Sequence, residues 1–232
     1  MNELLAIIPA RANSKRLPDK NLKLLYGKPL IAYSIEAAKL SKNISKIIVS
    51  TDSKKISSIA LEYGAEVPFI RPEYLATDKA TSIDVIKHAI NEIEKSGKTF
   101  DNIILLQPTS PLRTSNDIDI ATDLFFNKKA DSVISIVEVS HRPEWYIRKN
   151  NQDKITYLLP KKIKKEEVNY LINGSIYIFK KKLILDKNTL LGEKTYGYVM
   201  PPERSVDIDT SFDFKIAQFM LDNSLDTTNK IF

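Results

Sequence analysis

Three short stretches carry the residues whose types and spacing suit chemistry. The first is Pro9-Ala10-Arg11-Ala12-Asn13-Ser14-Lys15-Arg16-Leu17-Pro18-Asp19-Lys20-Asn21. Arg11 and Lys20 can neutralise phosphate charge while Asn13, Ser14 and the loop amides donate hydrogen bonds, so a polyphosphate suits this loop. The chain lacks both the P-loop and the dinucleotide glycine patterns, and a solvated basic turn is the plainer alternative. The second stretch, Leu105-Leu106-Gln107-Pro108-Thr109-Ser110-Pro111-Leu112-Arg113, sets polar Gln107, Thr109 and Ser110 in a turn stiffened by two prolines. A helix start capped by Ser115 would explain Ser115 but neither Gln107 nor Thr109. In the third, Ser205-Val206-Asp207-Ile208-Asp209, polar and apolar residues alternate. A strand here would project Asp207 and Asp209 from one face, and two such carboxylates suit Mg²⁺, which takes one or two carboxylates together with substrate phosphates. The alternative, Asp209 as a helix cap, accounts for one Asp and not both.

These stretches need elements to hold them. Apolar runs rich in Ile and Val predict strands near Leu4 to Ile8, Lys46 to Ser50, Glu66 to Ile70, Asn102 to Leu106, Ser132 to Val137 and Ser175 to Phe179, with a last strand ending at Ser205 to Asp209. The runs lack polar alternation, as strands covered on both faces do. Helical spacing appears over Pro29 to Leu40, Lys54 to Tyr63, Ser82 to Glu94, Asn116 to Phe126 and Phe212 to Asp222, and in the third of these Ile83, Ile86, Ile90 and Ile93 form one apolar stripe. The alternation of strand and helix predicts a doubly wound α/β sheet, mostly parallel and covered by helices. Such sheets bind ligands beyond the carboxyl ends of their strands, where the first two chemical stretches begin. The pattern breaks between residues 138 and 172, which read as an insertion within a single domain of residues 1–232.

Composition narrows the chemistry further. The 232 residues include 35 Lys plus Arg against 29 Asp plus Glu, a net charge of +6, and no Cys. Disulfides, Cys-ligated zinc, iron–sulfur clusters and thiolate nucleophiles are excluded, and a reducing cytoplasm is expected. No run approaches the roughly 20 apolar residues of a membrane span, and the opening MNELLAIIPAR is too short in its apolar run for a signal peptide. A basic balance admits nucleic acid, an anionic membrane surface or phosphorylated small molecules as partners. Arg142, Trp145, Tyr146 and Arg148 could interleave charge with aromatics for nucleic acid, although a packed insertion is the commoner outcome. His88 and His141 stand alone, and no nucleophile elbow is present.

Together the segments IPARANSKRLPDKNL, GKPLIAYSIEAA, IIVSTDS, IRPEYLATDKATS, LLQPTSPLRT, NGSIY and SVDIDT resemble, in order, those of bacterial CMP-sialic acid synthetases, the acylneuraminate cytidylyltransferases. The resemblance implies a Rossmann-like α/β nucleotidyltransferase whose small insertion makes a homodimer. It implies transfer of CMP from CTP to the anomeric hydroxyl of a nonulosonic acid with release of pyrophosphate, and no nucleic-acid or membrane partner. By motif position Arg11, Asn13, Ser14, Lys20 and Asn21 would hold CTP, with Arg71 and Ser82 near the nucleoside. Gln107, Thr109 and Ser110 would face the sugar or the nucleotide–sugar junction and Asn173 the sugar, and Asp207 and Asp209 would hold Mg²⁺, with Arg11, Lys20 and Asp209 closest to the chemistry. The family commonly has an Arg-Gln-x-x-Pro stretch shortly before its Asn-Gly, where this chain has Lys162-Ile163-Lys164-Lys165-Glu166-Glu167. Legionaminic or pseudaminic acid therefore fits as well as N-acetylneuraminic acid. Lys162 or Lys164 could supply the missing cation, to its own sugar site or across a dimer. Kdo fits less well because the related Kdo enzymes carry an acidic turn in place of Gln107 to Ser110. A nucleotide-binding or nucleic-acid-binding module without turnover is the alternative from a different class.

Overall fold

The computed structural model describes residues 3–139, 145–158 and 168–228. The elements in chain order are β1 (Leu4–Pro9), β2 (Leu24–Leu25), β3 (Lys28–Pro29), α1 (Leu30–Leu40), β4 (Ile44–Ser50), α2 (Lys54–Glu62), α3 (Ser82–Lys95), β5 (Asn102–Leu106) and α4 (Ser115–Asn127). They continue with β6 (Ser132–Glu138), β7 (Ile147–Lys149), β8 (Ile155–Tyr157), β9 (Tyr170–Lys180), α5 (Lys181–Lys187), β10 (Thr195–Val199) and α6 (Ser211–Thr228). Leu4 to Ile8 are all buried because β1 lies inside a six-stranded sheet of order β10-β6-β9-β5-β1-β4. Strands β4, β1 and β5 run parallel, as do β6 and β10, and β9 runs antiparallel to both its neighbours. The expected mostly parallel, helix-covered sheet is therefore present, with one reversed strand.

Apolar stripes fix which helix covers which face. Ile31 and Ile35 of α1, Ile56 of α2 and Ile118 and Phe125 of α4 pack in one cluster with Leu4, Ala6 and Ile8. Ile86, Ile90 and Ile93 of α3 and Leu183 of α5 pack on the other face with Leu5 and Ile7. A third cluster, with Leu17, Leu25, Leu30 and Ile208, lies under the loops at the carboxyl edge. Both α3 and α4 begin with reciprocal capping boxes, Thr81 with Asp84 and Thr114 with Asp117, which satisfy otherwise unpaired helix amides. The cap of α4 is thus Thr114 and not Ser115.

Two expected strands are absent. Glu66 makes a single parallel bridge to Ile48, but Pro68 has no N–H to continue the ladder, so 66–70 is not a strand. Residues 205–209 form no strand either. The sheet edge is taken by β10, which the sequence reading passed over, and the later segment crosses the carboxyl edge of the sheet. Its alternation survives nonetheless, because Ile208 is fully buried with Val206 packed beside it in the third cluster.

Within 138–172, β7 and β8 pair as a separate antiparallel hairpin, while Glu138 and Tyr170 to Ile172 pair within the main sheet. Residues His141, Arg142, Lys162 and Lys164 lie outside the described residues. Among the described residues no helix is long and apolar enough to cross a membrane.

Candidate active site

Strand β1 ends at Pro9, and the loop beyond it is held from below. Ala10 N–H donates to the Ser50 carbonyl, Ala12 N–H to Asp52 Oδ1 at 2.9 Å, and Asn21 Nδ2 to the Arg11 carbonyl at 2.9 Å. Arg71, only 4% exposed, braces the end of β4 by donating from Nε to Ser50 Oγ at 3.0 Å and from Nη2 to the Ser50 carbonyl. Burial lowers the Arg71 pKa to about 10, with Asp52 opposing that shift, so the guanidinium stays charged at neutral pH. Its place is beneath the loop.

Above this support lies a cavity of about 380 Å³ lined by Arg11, Ser14, Lys20, Asn21, Gln107, Thr109 and Asp209 among others. Its cations are met by two carboxylates. Asp78 pairs with Arg11 at 2.8 Å and with Lys15, and these two cations hold its carboxyl below the usual range, Lys15 having the larger effect. Asp209 pairs with Arg16 at 2.6 Å and with Lys20 at 3.2 Å, and Lys20 Nζ also donates to the Ile208 carbonyl at 2.6 Å. Asp209 is not the cap of α6. Thr210 fills that place, exchanging hydrogen bonds with Asp213, which leaves the Asp209 carboxylate facing the cavity.

The opposite wall is the turn after β5 together with a bulge in β9. Between the Ile134–Tyr177 and Ile136–Ile172 pairings the register slips, and Gly174 sits in the left-handed region at φ +76°. A methyl group at Gly174 would lie 3.8 Å from Asp207 Oδ2 and 3.9 Å from Gln107 Nε2, which places these two side chains beside the bulge. Asn173 is 6% exposed; its Oδ1 accepts from Ser135 Oγ at 2.6 Å and its Nδ2 donates to Ser205 Oγ at 2.9 Å. Arg113 is 3% exposed and joins turn to bulge, donating to the carbonyls of Gln107 and Ser175 and to Ser34 Oγ. Burial brings its pKa down to about 10. The Ile208 N–H donates to the Thr109 carbonyl at 2.8 Å, which ties the Asp segment to the turn.

Asp207 is open to solvent on one side but recessed among protein atoms. Partial desolvation raises its carboxyl pKa, the Thr109 hydroxyl opposes the rise and Asp209 adds to it. The Thr109 and Ser110 hydroxyl oxygens are buried and find no well-directed partner among the described residues, and of the two only Thr109 belongs to a residue lining the cavity. Among the described residues no cluster of three or more Asp, Glu or His side chains is assembled to hold a metal unaided. Two all-oxygen carboxylates next to a cationic, phosphate-sized cavity match the donor set that Mg²⁺ takes when substrate phosphates complete its shell.

Of the residues expected from sequence, Arg11, Ser14, Lys20, Asn21, Gln107, Thr109 and Asp209 meet on one cavity. Asn13 lines an adjoining recess of about 480 Å³ that shares Arg11, Lys15 and Asp78. Ser110, Arg71 and Asn173 lie behind the walls, and Ser82 is exposed on the first turn of α3, lining neither recess. The sequence reading missed Asp78 and the direct place of Lys15 and Arg16. For the two cations the signal was their position within the basic loop. Asp78 lies far from them in sequence, and only the fold brings it near.

A family model described as Cytidylyltransferase matches residues 5–216. The CMP-N,N'-diacetyllegionaminic acid synthase of Legionella pneumophila is 38% identical over 94% of this chain and 96% of its own length. An N-acylneuraminate cytidylyltransferase of Escherichia coli is 39% identical over 93% of this chain and 51% of its own length. Among solved structures, CMP:2-keto-3-deoxy-manno-octonic acid synthetase complexed with CTP superposes with a TM-score of 0.73 over 96% of this chain and 99% of its own, at 16% identity, a likeness of fold. The basic loop, the Gln-Pro-Thr-Ser turn and the paired aspartates thus occur in a chain that belongs to the cytidylyltransferase family, among the acylneuraminate-type nucleotidyltransferases.

Proposed function

We propose that this chain uses the carboxyl-edge cavity to transfer CMP from CTP to the anomeric hydroxyl of a nonulosonic acid. The hydroxyl oxygen bonds to the α-phosphorus and gives up its proton to water, the bond from that phosphorus to the α,β-bridging oxygen breaks, and pyrophosphate leaves with the electron pair. The observation that carries this reading is the meeting of Arg11, Lys20, Asp209 and the Gln107–Thr109 turn on a single cavity beyond parallel strands β1 and β5. In-line phosphoryl transfer needs positioning and charge neutralisation more than a covalent nucleophile.

In this reading Arg11, Asn13, Ser14, Lys20 and Asn21 receive the phosphates, and Arg71 serves the nucleoside indirectly by bracing the loop from beneath, whereas Ser82, off both recesses, keeps no role. Gln107 and Thr109 orient the sugar acid, and Ser110 and Asn173 act from behind the wall, Ser110 within the turn and Asn173 by fixing the bulge. Asp207 and Asp209 would hold Mg²⁺, which when bound polarises phosphate oxygens and lowers the pKa of a nearby hydroxyl. Lys20 and Arg11 stabilise the charge that grows on the departing pyrophosphate. We read the chain as a cytoplasmic homodimer. Exposed Ile147, Ile155, Tyr170, Leu171 and Ile172 on the hairpin and the start of β9 give an apolar arm that a second copy would cover.

The test is pyrophosphate release from CTP and Mg²⁺ with N-acetylneuraminic, legionaminic, pseudaminic and Kdo acids, with UTP and ATP as controls. Release with CTP and a nonulosonic acid is expected and names the sugar. Asp209→Asn should lower turnover by about 100-fold or more while the far-ultraviolet circular dichroism is unchanged. Full activity in that variant would remove the metal role, and silence across the panel with CTP bound would favour a binding module without turnover.

A further inference from the structure

The two aspartates lie on a segment with no ladder of strand hydrogen bonds; the Ile208 amide and its buried side chain hold it from within, and its upstream end has an anchor of its own. Arg204 closes the short turn Pro202–Arg204 just before that segment. Its Nε donates to Asp117 Oδ2 at 3.0 Å and its Nη2 to Asp117 Oδ1 at 2.9 Å, a two-pronged pair. Asp117 is fully buried. The same carboxylate accepts from Tyr198 OH at 2.8 Å and from the Thr114 amide and hydroxyl at 2.9 and 2.7 Å. Neither Arg204 nor Asp117 lines the cavity.

We infer that Arg204, locked on Asp117, is the positioning residue that sets where the Asp207 and Asp209 carboxylates stand. This rests on reading those two residues as the holders of Mg²⁺. Only two residues separate Arg204 from Asp207, three steps of chain or about 10 Å at full extension, so slack at the turn reaches the carboxylates directly. On the way Ser205 is held by its hydroxyl, which donates to the Pro201 carbonyl at 2.8 Å and accepts from Asn173 at 2.9 Å, and Val206 packs partly buried in the third apolar cluster. Asp117 is also the third residue of α4, which starts where the Gln107–Arg113 turn ends. One buried carboxylate therefore registers the turn and the aspartate segment against each other. The planar fork matters, because Lys carries the charge without the two parallel bonds.

The experiment measures Mn²⁺ affinity by electron paramagnetic resonance in the presence of CTP and without sugar acid, where nothing turns over. Wild type is compared with Arg204→Gln, Arg204→Lys, Tyr198→Phe and Asp209→Asn. Arg204→Gln should weaken Mn²⁺ about 10–100-fold, the range found when groups that orient metal ligands are removed. Arg204→Lys should fall between, and excess Mg²⁺ should restore part of its kcat. Tyr198→Phe takes one hydrogen bond from the same carboxylate but does not touch the aspartate segment, so it should lower Tm and leave Mn²⁺ affinity unchanged. Wild-type affinity in Arg204→Gln would overturn the inference, as would equal weakening in Tyr198→Phe, which would mark the cluster as general support for the fold. If Arg204→Gln does not fold, Arg204→Lys carries the same decision. Asp209→Asn separates the two readings: wild-type Mn²⁺ affinity there would sink the metal assignment itself, whereas loss there with none in the Arg204 variants would sink only the positioning role.

Discussion

The two walls of the cavity are built on opposite physics. On the loop wall Lys15 and Arg16 have side chains 79% and 68% exposed, and their acidic partners Asp78 and Asp209 are 41% and 44% exposed. Exposed ion pairs contribute little to stability and are screened by salt, so an incoming polyphosphate can take over the cations at small cost. On the turn-and-bulge wall Ser110, Arg113, Asn173 and Ser175 are all nearly inaccessible, and the last three share a connected set of hydrogen bonds. Arg113 Nε and the Ser110 hydroxyl find no partner among the described residues, but the bonds linking Arg113, Ser175 and Asn173 are buried, and such a network favours one geometry. The contrast suggests a division of labour in which the loop wall adapts to arriving charge and the far wall holds the acceptor in place.

The sharpest way to break the comparison is Lys20→Met. Lys20 is 12% exposed and touches both Asp209 and the Ile208 carbonyl, so it is the loop cation tied most closely to the aspartate segment. Loss of one preorganised donor to developing charge lowers kcat by about 100–1000-fold. Because the loop is braced independently through Asn21 and Arg71, Tm should change little, and a collapse of Tm parallel to kcat would show that the loop wall is structural after all. Arg113→Leu probes the other side with the reverse signature. It removes a buried cation and its bonds to the Ser175 carbonyl and the Ser34 hydroxyl, while the Gln107 carbonyl keeps Ser34 and the Ser110 amide as donors, and a buried group left unmet costs roughly 1–3 kcal/mol. Urea unfolding should show a clearly lower midpoint, with CTP affinity of the folded fraction near wild type. Unchanged stability would mean the network is not what fixes this wall.

How far these walls were legible in sequence follows from the same contrast. The central strands and the helices covering the sheet declared themselves through apolar runs and 3.6-residue stripes, since burial on two faces or one leaves a local pattern. Both walls begin where such strands end, so Arg11, Lys20, Gln107 and Thr109 were found. Asn173 and Arg71 were assigned to ligand contact, yet the fold turns both inward, because burial of a polar side chain depends on partners such as Ser135, Ser205 and Ser50 that are distant in the chain. The Ser205–Asp209 alternation was read as a strand, and it does place Ile208 inside and the carboxylates outside, but alternation cannot say whether a neighbouring strand exists. Strand β10, half-exposed and containing Gly197, gave too weak an apolar signal to claim the edge. The Arg204–Asp117 pair spans 87 residues and left no local trace.

The smallest expected effect is also the one with the opposite sign. Asp78 is exposed, pairs with Arg11 and Lys15, and lies between the main cavity and the adjoining recess. A carboxylate there meets the same cations that a phosphate would need, so CTP must compete with it. Asp78→Asn keeps the shape and removes the charge. The KM for CTP should fall severalfold at low salt, kcat should hold, and the difference should shrink as ionic strength rises and screens the competing pair. A rise in KM would instead assign Asp78 a supporting contact in the bound state. In that case the loop wall would be preorganised like its counterpart, and the difference between the walls would be one of exposure alone.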